Sequence, residues 1–191
     1  MQASDFIRDT TISNEIFEEN AIKYKEFDTC VFINCDFSKC SFQSVFFLDC
    51  TFIGCNFKEA KINYVSLRDV EFKQCDFTHV NFAMTDQVIY SFNFTDCTLD
   101  YTQFYKLKLK QIRFIGCSLV AADFMETDLT EAIFDSCNLR RTVFAKSNLS
   151  KADFSTSKEF DIDPENNKMK GAVFSSFGLA GLLKKYQLRI K

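Results

Sequence analysis

Between Cys30 and Phe57 a large apolar residue returns at every fifth position: Phe32, Phe37, Phe42, Phe47, Phe52 and Phe57. A cysteine or other small residue stands two places before each of them. A helix repeats its buried positions about every 3.6 residues and a strand about every 2, so five fits neither. The spacing extends upstream through Ile7, Ile12, Phe17 and Ile22, and downstream through Ile62, Leu67, Phe72, Phe77 and Phe82. It slips by two residues within 83–88, resumes at Ile89, and runs on from Phe94 to Phe154. After "STSKEFDIDPENN" the same register returns at Met169 and Phe174.

A period of five is accounted for if each pentapeptide forms one side of a square coil. The small residue and the large centre point inward, the other three face water, and four pentapeptides close a turn. Successive turns then stack at strand spacing, ~4.8 Å, with backbone hydrogen bonds between them. From Ile12 to Phe154 this predicts about seven turns and a rod of roughly 34 Å. Residues 1–174 form the coil, with the register break near 83–88, and residues 175–191 form a separate closing segment.

That segment predicts a helix and a short strand. Ser175 or Ser176 is placed to cap a helix, and Leu179, Leu182, Leu183 and Tyr186 form one apolar stripe. Lys184 and Lys185 fall where a helix C-terminus favours cations. Leu188 and Ile190 then alternate in "QLRIK" as in a strand. A solenoid exposes an apolar end that needs a cap, and this segment is suited to supply it.

Composition sharpens the core. The chain holds 24 Phe, no Trp, one Pro and five Gly in 191 residues, so one residue type dominates the interior. All nine cysteines occupy the small position two before a centre, shared with residues such as Val45, Ala60 and Ala122. They are read as buried, reduced packing residues. Cys97, Cys117 and Cys137 stack one strand spacing apart, within the usual disulfide range, which leaves a thiol switch open. Cys30, Cys35 and Cys40 fall on different sides of the coil and lack the tight pairing of zinc motifs. His79 is expected on the outer surface. With no nucleophile–base pair, metal set or glycine-rich phosphate loop, the reading is a non-enzyme without cofactor or metal. No apolar run reaches the roughly 18 residues of a membrane span, and the start lacks secretory features, which points to the cytoplasm.

Charge is the remaining signal. Net charge is −3, but residues 1–82 carry 13 acidic and 8 basic side chains, while 155–191 carry 4 and 7. Residues twenty apart share a column on the coil. Asp9, Asp49 and Asp69 occupy one column, interrupted by Thr29, with Glu26 and Asp28 beside it. Lys106, Lys108, Lys110 and Arg113 form an opposing basic cluster. Val31, Ile33 and Ile53 project from one side and Phe46 and Leu48 from the next; either this is a contact patch or the N-terminal segment folds over it.

"CDFSK", "CNFKE", "ADFME", "CNLRR", "SNLSK" and "ADFST" resemble the repeats of the pentapeptide-repeat proteins, over about residues 12–174. The resemblance implies an all-β solenoid, a right-handed quadrilateral β-helix. "IDPENNKMKGAVF" with "SSFGLAGLLKKYQLRIK", and the middle stretch "FTDCTLDYTQFYKLKLKQIRFIGCSLVAADF", are similar to Qnr-type quinolone-resistance and albicidin-resistance members. Those members imply a homodimer built through the C-terminal end, here through Phe177, Leu179, Leu182, Leu183, Tyr186, Leu188 and Ile190. They also imply a DNA mimic that binds DNA gyrase, a type II topoisomerase, and protects it from an antibiotic. The corresponding partner-binding residues are Asp9, Glu26, Asp28, Asp49 and Asp69, with Thr85, Asp86 and Gln87 as the tip of a bulge at the break. The alternative is a scaffold or regulator that binds an unrelated protein; no nucleic-acid or membrane contact is expected.

Overall fold

Every twenty residues the chain returns to the same place one layer on: Phe32 pairs with Phe52, and Phe52 with Phe72, in parallel register. The computed structural model describes residues 5–86 and 90–189. Four faces repeat. The first carries parallel strands Phe6–Arg8, Glu26–Asp28, Phe46–Leu48 and Ser66–Arg68. The second carries Thr11–Ser13, Val31–Ile33, Thr51–Ile53, Val70–Lys73, Phe92–Thr95, Arg113–Ile115 and Ile133–Asp135 as one seven-stranded parallel sheet. The third and fourth faces are joined by single parallel bridges, such as Asp36 to Asn56 to Asp76 and Gln103 to Asp123 to Val143.

The centres point inward and stack ring on ring. Phe52 lies 4.6 Å from Phe32 at 6° and 5.1 Å from Phe72 at 22°. Around each layer the rings meet edge to face instead, as Phe27 and Phe32 do at 75°. Both are favoured arrangements of the aromatic quadrupole. The layer of Phe27, Phe32, Phe37 and Phe42 is wholly aromatic, whereas beyond Leu99 leucine and phenylalanine alternate from face to face. Where Ile62 and Leu67 stand among larger rings, a small internal cavity of about 10 Å³ remains.

Corners are turned by a residue two places after the centre in the left-handed region. Asp49 (φ 51°), Asp69 (φ 52°), His79 (φ 64°) and Tyr101 (φ 59°) all take it. Aspartate and asparagine tolerate this conformation better than most residues. His79 is exposed as expected, and its ring stacks on Tyr101 at 4.8 Å.

All nine cysteines are buried and free. Their thiols do more than fill space. Cys50 donates to the carbonyl of Phe27 in the layer below (3.5 Å) and of Leu48 (3.3 Å). Thr127, Thr142, Ser147 and Ser157 use the same corner slot, donating at 2.7–2.8 Å to Phe104, Leu119, Phe124 and Phe134. The slot therefore accepts any small side chain, and a hydroxyl or thiol there gains a partner. Cys35, Cys55, Cys75, Cys97, Cys117 and Cys137 follow one another along a single corner.

The outward apolar residues Val31, Ile33, Ile53, Phe46 and Leu48 are half-buried by their column neighbours. Among the described residues the N-terminal segment does not fold over them, because Phe6–Arg8 and Thr11–Ser13 are themselves the end strands of the two sheets. Arg68 instead lies over the Phe46 ring, 4.9 Å from its centre.

The closing segment departs from the sequence expectation. Ser175 does cap it, accepting from the Gly178 amide, but Ser176–Leu182 is a 3-10 helix, with a second 3-10 turn at Lys184–Tyr186. Gly178 and Gly181 both lie against Phe160. A Cβ on Gly178 would stand 2.7 Å from the Phe160 ring, and one on Gly181 2.5 Å from the Phe160 carbonyl oxygen. With three residues per turn the two glycines stand one above the other over that ring. Gln187 turns left-handed (φ 51°), and no strand forms over the described residues of "QLRIK".

Candidate partner-binding surface

The predicted acidic column exists on one corner of the first face. The amide of Asp9 donates to the Asp28 carbonyl at 3.1 Å, Thr29 to Leu48 at 2.9 Å, and Asp49 to Arg68 at 3.0 Å. Asp9, Thr29, Asp49 and Asp69 thus rise one layer at a time, all exposed. Each occupies the left-handed corner position, so backbone geometry favours aspartate there independently of any partner.

The charges are not equivalent. Arg8 sits 3.2 Å from Asp28 and 3.5 Å from Asp9, which cancels part of the field at the first layers. Asp28 is half-buried and also accepts from Thr29 at 2.8 Å. Glu26, Asp49 and Asp69 are exposed and form no ion pair among the described residues. They are the part of the column available to a cationic surface.

The bulge is placed differently from the sequence reading. Thr85 is buried, 6% exposed, and its hydroxyl donates to the Phe82 carbonyl at 2.8 Å. It occupies the corner slot of Val45 and Val65 and presents nothing to a partner. Asp86 continues the first face, with its amide on the Val65 carbonyl (2.9 Å) and its carboxylate accepting from Ser66 (2.8 Å). Gln87 lies outside the described residues. Val70 pairs with Phe92, so the two extra residues enter between Asp86 and Phe92 rather than ahead of them.

Beyond this insertion, side chains take over hydrogen bonds that main-chain carbonyls make elsewhere. The Lys108 amide donates to the Tyr90 hydroxyl oxygen at 2.6 Å, and the Arg113 amide to Asn93 Oδ1 at 3.0 Å. Phe92 fills a corner that Val70 and Ile112 occupy in the adjacent layers, its ring 5.8 Å from Phe82. Tyr90, Phe92 and Asn93 were not singled out by spacing, because the break removes the period that assigns positions.

At the C-terminal end Phe177 is 96% exposed and Leu188 59%, with Leu179 and Tyr186 near half. Leu182 and Leu183 are half-buried, and Leu182 packs on the core. The expected stripe is therefore split: Leu182 turns inward and Phe177, Leu179, Tyr186 and Leu188 outward. Ile190 lies outside the described residues. Lys185 anchors the end to Asp163 (2.7 Å) and Glu165 (2.6 Å), and Tyr186 donates to Glu165 (2.7 Å). Among the described residues no helix is long and apolar enough to cross a membrane.

Repeated parallel layers, four faces and inward-stacked centres define a quadrilateral β-solenoid. The profile of the pentapeptide repeat region matches residues 25–93 and 88–159, and the chain belongs to the pentapeptide-repeat family. Among solved structures, a trypsin-treated variant of QnrB1, a plasmid-mediated fluoroquinolone resistance protein, is similar at TM-score 0.64 and 15% identity. That match covers 97% of this chain and 100% of the other. A second trypsin-treated QnrB1 variant gives TM-score 0.56 at 18% identity, over 97% and 99% of the two chains. No curated protein sequence matches the chain.

Proposed function

We propose that this protein is a non-enzymatic rod that binds DNA gyrase in the place of duplex DNA, and so protects the enzyme from a quinolone- or albicidin-type inhibitor. The observation that carries this reading is the exposed, unpaired stack of Asp49 and Asp69 beside Glu26, on the side of a solenoid similar to QnrB1 along its whole length. Carboxylates one strand spacing apart meet a cationic groove much as a phosphate backbone does. The proposed unit is a cytoplasmic homodimer joined through the apolar C-terminal end, which would lengthen the rod.

The test is gyrase supercoiling and drug-stabilised DNA cleavage at two salt concentrations. Wild type should inhibit supercoiling or relieve cleavage, less so at the higher salt because the contacts are screened. Asp49→Lys with Asp69→Lys should weaken both effects and leave the fold intact. Inactivity of the wild type at tens of micromolar would end the gyrase reading. A second reading, a scaffold for an unrelated protein, draws support from Arg8, which offsets Asp9 and Asp28, and from the basic cluster downstream.

A further inference from the structure

We propose that the cleft between Tyr90–Asn93 and Lys108–Arg113 is a binding site for a compact phosphate-bearing anion. The cleft holds about 260 Å³ and is lined by Tyr90, Ser91, Asn93, Lys108, Lys110 and Arg113. Along it side chains complete the ladder, the Tyr90 hydroxyl and Asn93 Oδ1 accepting from the Lys108 and Arg113 amides.

Three cations converge on it in a chain whose net charge is −3. Lys108 and Lys110 flank the buried centre Leu109, so both project from the first face, and both are exposed. Arg113 opens the next strand, one corner away past buried Ile112. Lys108 forms no ion pair among the described residues. Lys110 meets Asp128 at 3.6 Å, and Gln111, which also lines the cleft, donates to Glu131 at 2.9 Å; Asp128 is the competitor paired with a cleft cation. Its other oxygen is already held by the Thr130 amide (3.1 Å) and hydroxyl (2.6 Å). Asp135 feels Arg113 more weakly than its own hydroxyl partners Thr156 and Ser136. Lys106 does not line the cleft and is paired with Glu126 at 3.4 Å.

Neutral donors complete the set. The Tyr90 oxygen accepts from the Lys108 amide, so its own proton is free to donate, and burial raises its pKa and keeps that proton in place. Ser91 adds a hydroxyl. An arginine, two lysines and two hydroxyls suit the several oxygens of a phosphate group. The volume admits a pyrophosphate or the phosphate tail of a nucleotide, and excludes a duplex.

This site is independent of the gyrase reading. Inorganic pyrophosphate titrated calorimetrically into the full chain should bind saturably, above the effect of sodium chloride at equal ionic strength. Lys108→Gln with Lys110→Gln should weaken that binding about tenfold or more, because charge-assisted hydrogen bonds are lost. Lys146→Gln, at an exposed corner elsewhere, should not. Should the double variant fail to fold, Arg113→Gln alone carries the same expectation. The proposal is overturned by no saturable binding at millimolar pyrophosphate, by unchanged affinity in the cleft variants, or by an effect matched by salt. It is also overturned if only vesicles containing phosphatidic acid bind, with no binding of the free anion.

Discussion

The Tyr90 hydroxyl oxygen accepts the Lys108 amide hydrogen at 2.6 Å, a side chain standing where other layers use a main-chain carbonyl. In regular layers the equivalent amides of Phe46 and Asp128 reach the carbonyls of Lys25 and Leu107. The break is thus repaired by a residue that the repeat does not specify. Tyr90→Phe keeps the half-buried ring and removes the acceptor. It should cost about 1 kcal/mol in chemical denaturation, the usual worth of one hydrogen bond. An unshifted midpoint would mean that the ladder does not need this rung.

Phe52 is 1% exposed and sandwiched between Phe32 and Phe72. Phe52→Ala should destabilise by about 3–5 kcal/mol, through lost transfer energy and the cavity left in a stack whose neighbours are fixed by the ladder. Phe17→Ala, at a half-buried centre near the N-terminal end, should cost clearly less in the same experiment. Equal losses would contradict the burial gradient.

The thiols of Cys40 and Cys50 should be silent at neutral pH. Burial pushes Cys50 up to about 12 from its ordinary value of 9.0, and Cys40 to about 12 with help from Asp36 and Glu18. The native state therefore holds these two thiols in the protonated form. Its contribution is complete below pH 9.0 and is lost as pH rises toward about 12. Stability should fall across that alkaline window by up to about 1.4 kcal/mol per pH unit for each such thiol. Cys50→Ala should flatten the decline. A thiol reagent should label native protein slowly and unfolded protein at once; rapid labelling of all nine cysteines in native buffer would refute their burial.

The C-terminal end tests the proposed dimer. Phe177→Asp with Leu179→Asp places charge on two exposed apolar residues that no intramolecular packing needs. Light scattering should change from dimer to monomer mass while the circular dichroism spectrum stays that of the wild type. A wild-type chain already monomeric at micromolar concentration would remove the dimer from the proposal.

The acidic column shows how far a period alone can reach. Spacing by twenty places Asp9, Thr29, Asp49 and Asp69 on one corner, and the hydrogen bonds between layers confirm it. The sequence does not reveal that Arg8 would reach Asp28 and Asp9, because a long side chain's direction depends on its neighbours in space. Thr85 was misplaced for a related reason. A two-residue insertion can be absorbed at several points in a run of polar residues, and only the pairing of Val70 with Phe92 locates it.

The solenoid is legible in the residue pattern: a period of five, twenty residues to a layer, Phe at the centres, and small residues at the corners. Each layer repeats the same local demand, so a one-dimensional pattern specifies a quasi-one-dimensional fold. The ends and the break are set by contacts in space, because no neighbouring repeat enforces the rule there. Leu179, Leu182, Leu183 and Tyr186 read as an α-helical stripe, yet the segment winds as a 3-10 helix with Gly178 and Gly181 both packed against Phe160. That contact joins residues from different layers of the coil, and the periodicity of the segment carries no record of it.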